Sequence, residues 1–128
     1  MKYEVIVKTD LIDRPKDHEL SAALILAVHF RSDVIFLRPQ RDKTPDVEVN
    51  GVRWEIKSPR GNGKKTIENN LRTARKQSVN IVLDLRRIKL HQSKANARIR
   101  YFLSKGHHFK KLLVITKSNK VLEVLRLK

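Results

Sequence analysis

Asp46-Val47-Glu48-Val49-Asn50-Gly51-Val52-Arg53-Trp54-Glu55-Ile56-Lys57 alternates apolar and charged side chains on both sides of Asn50-Gly51. Strict alternation is the period of a β-strand, and Asn-Gly is the strongest short hairpin signal. The stretch is therefore predicted to be two antiparallel strands, Asp46 to Val49 and Val52 to Lys57. A two-residue turn pairs Val49 with Val52, Glu48 with Arg53, Val47 with Trp54 and Asp46 with Glu55. Val52, Trp54 and Ile56 then share one face, and Arg53, Glu55 and Lys57 share the other.

Elements on either side complete the prediction. Tyr3 to Lys8 reads as a strand and Asp10 to Pro15 as a turn-rich loop. Leu20, Ala23, Leu24, Ala27 and Val28 recur at helical spacing, which predicts a helix from Lys16 to about Phe30. Val34 to Leu37 is a short buried strand. Ser58 to Lys65 is a loop containing Pro59, Gly61 and Gly63, and Thr66 is expected to cap a helix reaching about Gln77. Val79 to Leu85 is a buried strand, Ser93 to Lys105 a helix stopped by Gly106. Leu112 to Thr116 and Val121 to Leu125 form a closing hairpin around Ser118-Asn119. Strand–helix–strand units imply some parallel pairing. The fold class is α/β or mixed α+β, a single mixed β-sheet flanked by helices, in one domain over residues 1–128.

The chain has 128 residues, 40% hydrophobic and 33% charged, enough for one core and too few for two. No apolar run approaches the roughly 18 residues that span a bilayer. Met1 to Lys8 reads as a strand without a signal-peptide core, so action in a cytoplasm is expected. Cysteine is absent, which excludes thiolate catalysis, disulfides and Cys-ligated zinc. The net charge is +16, and its distribution is uneven: residues 1–50 carry 8 basic and 9 acidic side chains, residues 51–128 carry 21 and 4. So concentrated a cationic surface points to an anionic partner, with nucleic acid first. An anionic membrane and a plain solubility surface are the alternatives.

Chemistry enters at the hairpin. Asp46 opposite Glu55 puts two carboxylates together on one sheet face, which is destabilising by itself. A divalent cation between them turns that repulsion into binding, and Mg²⁺ or Mn²⁺ suits oxygen ligands. The ammonium of Lys57, on the same side, can orient a water or stabilise charge developing on a phosphate. The same triplet also reads as an ordinary charged strand face. Glu19 falls on or beside the apolar stripe of its helix, either as a third acid of the site or as a helix-start acid favoured by the dipole. His18 reads as a metal or phosphate contact, or as a solvated histidine. In the loop Ser58-Pro59-Arg60-Gly61-Asn62-Gly63-Lys64-Lys65-Thr66, glycines allow backbone amides close to an anion at a helix start. The spacing is not that of a Walker loop, so a phosphate-backbone clamp is expected in place of NTP hydrolysis. Arg60, Lys64, Lys65, Thr66, Arg72 and Lys76 are candidate nucleic-acid contacts. Gln77, near the stripe at its helix end, is placed toward the site or as a terminal hydrogen-bonder. Arg86, Arg87, Lys89, Lys94, Arg98, Arg100, Lys105, Lys110 and Lys111 extend the cationic field; Phe102 and Phe109 are assigned to the core in preference to base stacking, Tyr101 to neither, and His107-His108 to the surface.

Pro45-Asp46, eight residues, then Glu55-Ile56-Lys57 resembles the PD-(D/E)xK nuclease signature, in which a restriction-endonuclease-like αβββαβ core carries the acids. The longer string from Thr44 through Trp54-Glu55-Ile56-Lys57-Ser58-Pro59 to Ile67, continued by Ala74-Arg75-Lys76-Gln77-Ser78 and Asn80-Ile81-Val82-Leu83-Asp84-Leu85, is similar to the CdiA C-terminal tRNase domain of contact-dependent growth-inhibition toxins. That resemblance covers roughly residues 16–125. It implies a metal-dependent phosphodiesterase in which Asp46, Glu55 and the Ile56 carbonyl hold Mg²⁺, or else Mn²⁺ or Zn²⁺. Glu19 would complete the acidic site, Lys57 would position the attacking water, and Gln77 would orient substrate or water. It further implies tRNA as substrate and an acidic immunity protein as partner. Because such domains are tails of long exported proteins and this chain opens on its own methionine, an excised domain, an orphan cassette and a mobile-element protein all fit. A DNA endonuclease, a basic binding module that never takes metal, and an interaction protein docking an acidic partner are the competing readings.

Overall fold

The computed structural model describes residues 3–9, 14–38, 45–63, 65–106 and 109–124. Among the readings above, Lys64, His107-His108, Leu125 and most of the Asp10 to Pro15 loop lie outside the described residues. The chain runs β1 (Val5–Val7), α1 (Asp17–Phe30), β2 (Val34–Phe36), β3 (Val47–Val49), β4 (Val52–Lys57), α2 (Thr66–Ala74), β5 (Asn80–Asp84), α3 (Gln92–Ser104), β6 (Lys111–Ile115) and β7 (Val121–Glu123). The stretch α1-β2-β3-β4-α2-β5 is the αβββαβ order that the resemblance implies.

Seven strands form one sheet in chain order. The pairs β1–β2, β4–β5 and β5–β6 are parallel, and each is bridged by a helix; β2–β3, β3–β4 and β6–β7 are antiparallel. The fold is thus mixed α+β around a single mixed sheet. At the β3–β4 turn Asn50 lies at φ 52° and Gly51 at φ 81°. Two left-handed residues match the right-handed twist of the flanking strands. The register that follows pairs Val49 with Val52, Glu48 with Arg53 and Val47 with Trp54, as the alternation predicts.

The two sheet faces bury different helices. Ala22, Ala23, Leu26 and Ala27 of α1 pack with Val34, Val47, Trp54, Ile56 and Val82; small alanines bring the helix close to the sheet. Ile67 and Leu71 of α2, with Ile99 and Phe102 of α3, pack on Ile81, Leu83, Leu112 and Val114 across the other face. Burying each large side chain contributes about 1.5–3 kcal/mol. Glu55 and Lys57 are in register with Ile81 and Leu83, so they point toward the α2 side. Glu55 is buried there, because a charged sheet face at a central strand is covered by a helix and does not meet solvent.

Two local expectations are corrected. Thr66 is the first residue of α2 and Lys65 occupies the cap position without a side-chain cap bond. The amide of Thr66 already donates to the Gly63 carbonyl at 3.2 Å, so the turn has begun before it. Also, α2 ends at Ala74, and the chain to Gln77 tightens through Lys76 N–H to Thr73 and Gln77 N–H to Ala74, the short-range bonds of a 3₁₀ ending.

A Cβ added at Gly51 meets nothing within 4 Å, so Gly51→Val carries only the cost of a left-handed L-residue. The expected loss is about 1–2 kcal/mol in urea unfolding, with an unchanged m-value.

Candidate active site

Asp46 stands one residue before β3, and its carboxylate replaces a rung of the ladder. Asp46 Oδ2 accepts the Ile56 amide at 2.8 Å, while the Asp46 carbonyl accepts the Leu37 amide at 3.0 Å. Asp46 is therefore tied to β4 next to Glu55 without being its ladder partner. From β4, Glu55 Oε2 meets Lys57 Nζ at 3.3 Å, with the Lys57 side chain 22% exposed and that of Glu55 6%. The second oxygen, Glu55 Oε1, is buried and has no hydrogen-bond partner.

These surroundings shift both acids the same way. Burial, and next the charge of Asp46, push the Glu55 carboxyl up to about 7, against the pull of Lys57. Asp46 is also raised, by burial first and further by the charge of Glu19, while the Ile56 amide and Lys57 oppose the rise. Two neighbouring carboxyls that burial keeps from ionising, with Glu55 Oε1 left without a donor, fit a divalent cation with oxygen preference. Among the described residues, no three His, Cys, Asp or Glu side chains are grouped closely enough to hold an ion. Asp46 and Glu55 would offer a cation two carboxylates, within the one or two that Mg²⁺ usually takes alongside other oxygens.

Glu19 lies in the first turn of α1, where its Oε1 accepts the Lys16 amide at 2.7 Å. Its hydrogen bond is that of a helix-start acid, and its charge raises the proton affinity of Asp46. His18 is partly buried, and burial, then Arg87, lower its pKa; a neutral imidazole adds no positive charge there. Gln77 sits in the turn after α2, partly buried, with Oε1 lacking a partner. Arg60, Lys65, Arg72 and Lys76 are exposed and Thr66 is half-buried.

Arg86 and Arg87 depart from the expected solvent-facing field. Arg86 grips the fully buried Asp84 through Nε to Oδ1 at 2.9 Å and Nη2 to Oδ2 at 2.8 Å. Its Nη1 donates to Ser21 Oγ at 2.7 Å and its Nη2 to the His18 carbonyl at 3.3 Å. The guanidinium thus pins the first turn of α1, with Glu19, to the end of β5. Arg87 donates to the Ser58 hydroxyl and carbonyl at 3.1 Å each, fixing the residue beside Lys57. Sequence reasoning missed this support. The available signal was Asp84 itself, an acid in phase with Val82 on a strand face already assigned to the core.

The profile of the contact-dependent growth inhibition CdiA C-terminal domain matches residues 43–121, well over half of the chain and all of the hairpin. The chain belongs to that family. Among solved structures, the CdiA-CT/CdiI toxin and immunity complex from Burkholderia pseudomallei contains a chain with a TM-score of 0.67 and 21% identity, over 94% of this chain and 98% of that one. At that identity the likeness establishes a shared fold. No curated protein matches the chain.

Two outcomes follow for this CdiA C-terminal domain. Arg86→Ala leaves Asp84 buried and unpaired, and is expected to cost about 3–5 kcal/mol in denaturant titration. Glu55 binds its proton more tightly folded than unfolded, so in EDTA its contribution to stability is full below about pH 4.5 and is lost as pH rises through about 7. Melting temperature in EDTA should fall across that window, and Glu55→Gln should flatten the fall.

Proposed function

We propose that this chain is a metal-dependent endonuclease of the PD-(D/E)xK kind, a single nuclease-like domain over residues 1–128 acting on RNA, with tRNA the preferred substrate. The observation that carries the reading is the pairing of a half-buried Asp46 with a buried Glu55, with Glu55 Oε1 unpartnered and Lys57 on the other oxygen, in a chain of net charge +16. Family membership supports a toxin domain delivered into a neighbouring cell and acting in its cytoplasm. The Burkholderia structure was determined as a toxin and immunity complex, which supports an acidic immunity protein as partner here.

In this reading Asp46 and Glu55, with the Ile56 carbonyl, hold the cation, and Glu19 adds negative potential behind them. When bound, a divalent ion would supply Lewis-acid polarisation of the scissile phosphate. The all-oxygen donor set suits Mg²⁺ or Mn²⁺ better than Zn²⁺. Lys57, 22% exposed and anchored on Glu55, orients the attacking water and faces charge developing on the phosphate. Gln77, through its free Oε1, orients substrate or water. Arg60, Lys64, Lys65, Thr66, Arg72 and Lys76 hold the phosphate backbone, with His18 as a neutral contact near it. The in-line displacement breaks one P–O bond as water forms another, and the leaving oxygen takes up a proton.

A second reading, a binding module that never cuts, draws on the Glu55–Lys57 ion pair at 3.3 Å, which balances that acid without a cation. A cleavage assay on total tRNA, single-stranded RNA and duplex DNA with Mg²⁺, Mn²⁺, Zn²⁺ or EDTA separates the two. Cation-dependent product from wild type, reduced by about 10³-fold or more in Glu55→Ala and Lys57→Ala, is expected in the RNA lanes. Full activity in either variant refutes the assignment; product in the DNA lane alone moves the substrate to DNA.

A further inference from the structure

Two adjoining hollows of about 410 Å³ each, lined by neither acid of the pair, lie along α3. The first lies between Asn62-Gly63 of the glycine loop and Lys94, Arg98 and Tyr101 of α3. The second lies between Lys65 and Arg72 on one side and Arg98, Tyr101 and Lys105 on the other. Arg98 and Tyr101 are common to both. Leu90 lines the first and Phe102 the second, giving each an apolar wall. Among the described lining residues the one acid is Glu68, whose Oε1 stands a loose 3.9 Å from Arg98 Nη1. Tyr101 is 48% exposed although aromatic. Its ring carries the Lys105 ammonium 4.8 Å from the centroid.

We propose that this groove is a nucleotide-holding subsite, in which Tyr101 stacks an unpaired base and Lys94, Arg98 and Lys105 hold the flanking phosphates. Hollows of this volume suit a small organic ligand. Cations alternating with an exposed ring are what a single strand needs, since every base has a π-face and every linkage a charge. An acidic protein surface would use the cations but gain little from the ring. Asn62 is five positions beyond Lys57, a chain length that reaches at most about 18 Å, so one strand could lie in the groove and extend to the acid pair. The inference rests on the nucleic-acid reading above, but not on cleavage.

The test is fluorescence anisotropy of the full chain in EDTA, where nothing is cut. The probes are a labelled ten-nucleotide single-stranded RNA and the same strand made abasic. Wild type is expected to bind the base-bearing strand about 5-fold or more tightly. Tyr101→Ala should lose that preference and Tyr101→Phe should keep it, with unchanged circular dichroism in both. Lys94→Ala and Lys105→Ala should weaken both strands alike and each reduce the salt slope by about 1. A preference that survives in Tyr101→Ala overturns the stacking site. Equal displacement of RNA from wild type and Tyr101→Ala by polyglutamate, with no preference for bases, assigns the groove to an acidic protein and overturns the proposal. Retained base preference with no cleavage under any metal would sink the nuclease reading alone.

Discussion

The repulsion between Asp46 and Glu55 is the constraint around which this molecule is arranged. The hairpin brings Asp46 beside Glu55, where the Ile56 amide holds it, and burial raises the cost of ionising both. A sequence shaped only by stability would place apolar groups there, since a buried charge is expensive unless fully compensated. Compensation here is partial. The Ile56 amide serves one oxygen of Asp46 and Lys57 one oxygen of Glu55, while Glu55 Oε1 has no donor. That unbalanced oxygen is where a cation would find a free acceptor.

The same burial shapes the outer surface. Residues 51–128 contain only four acids, Glu55, Glu68, Asp84 and Glu123. Glu55 is 4% exposed and Asp84 fully buried, and the Glu68 side chain is 14% exposed. Three of the four are therefore withdrawn from the surface, each beside a cation: Glu55 with Lys57, Glu68 with Arg98 and Asp84 with Arg86. The charged side chains exposed on this half are therefore mostly basic, which favours long-range attraction of a polyanion.

How much of this could be read from residues follows from the range of each interaction. Local patterns were legible: the Asn50-Gly51 turn, the Glu48–Arg53 register and the apolar stripe of α1 each depend on neighbours a few positions away. Asp46 and Glu55 came out together because a hairpin converts sequence distance into contact. Tertiary pairing was not legible. Arg86 reaches Ser21 and His18, 65 and 68 positions away, and nothing in Arg86-Arg87 distinguishes an inward guanidinium from a solvated one. Burial of Glu55 likewise depends on α2 crossing above it, which alternation in β4 cannot encode. The start of α2 was misplaced by one residue because a threonine before an apolar stripe looks like a cap, whereas Gly63 had already closed the turn.

Glu19 combines a helix-start bond with a long-range effect on Asp46. Its Oε1 is held by the Lys16 amide, an ordinary use of a carboxylate at a helix start. That bond also fixes the position of the negative charge, and Arg86 fixes the helix turn that carries it by bonding Ser21 and the His18 carbonyl. From there Glu19 raises the proton affinity of Asp46 without being grouped with it as a ligand. Its influence is thus electrostatic: it deepens the negative potential at the acid pair while its own oxygen remains occupied. The buried Asp84–Arg86 pair, remote in sequence from every acid of the site, is what keeps that potential in place.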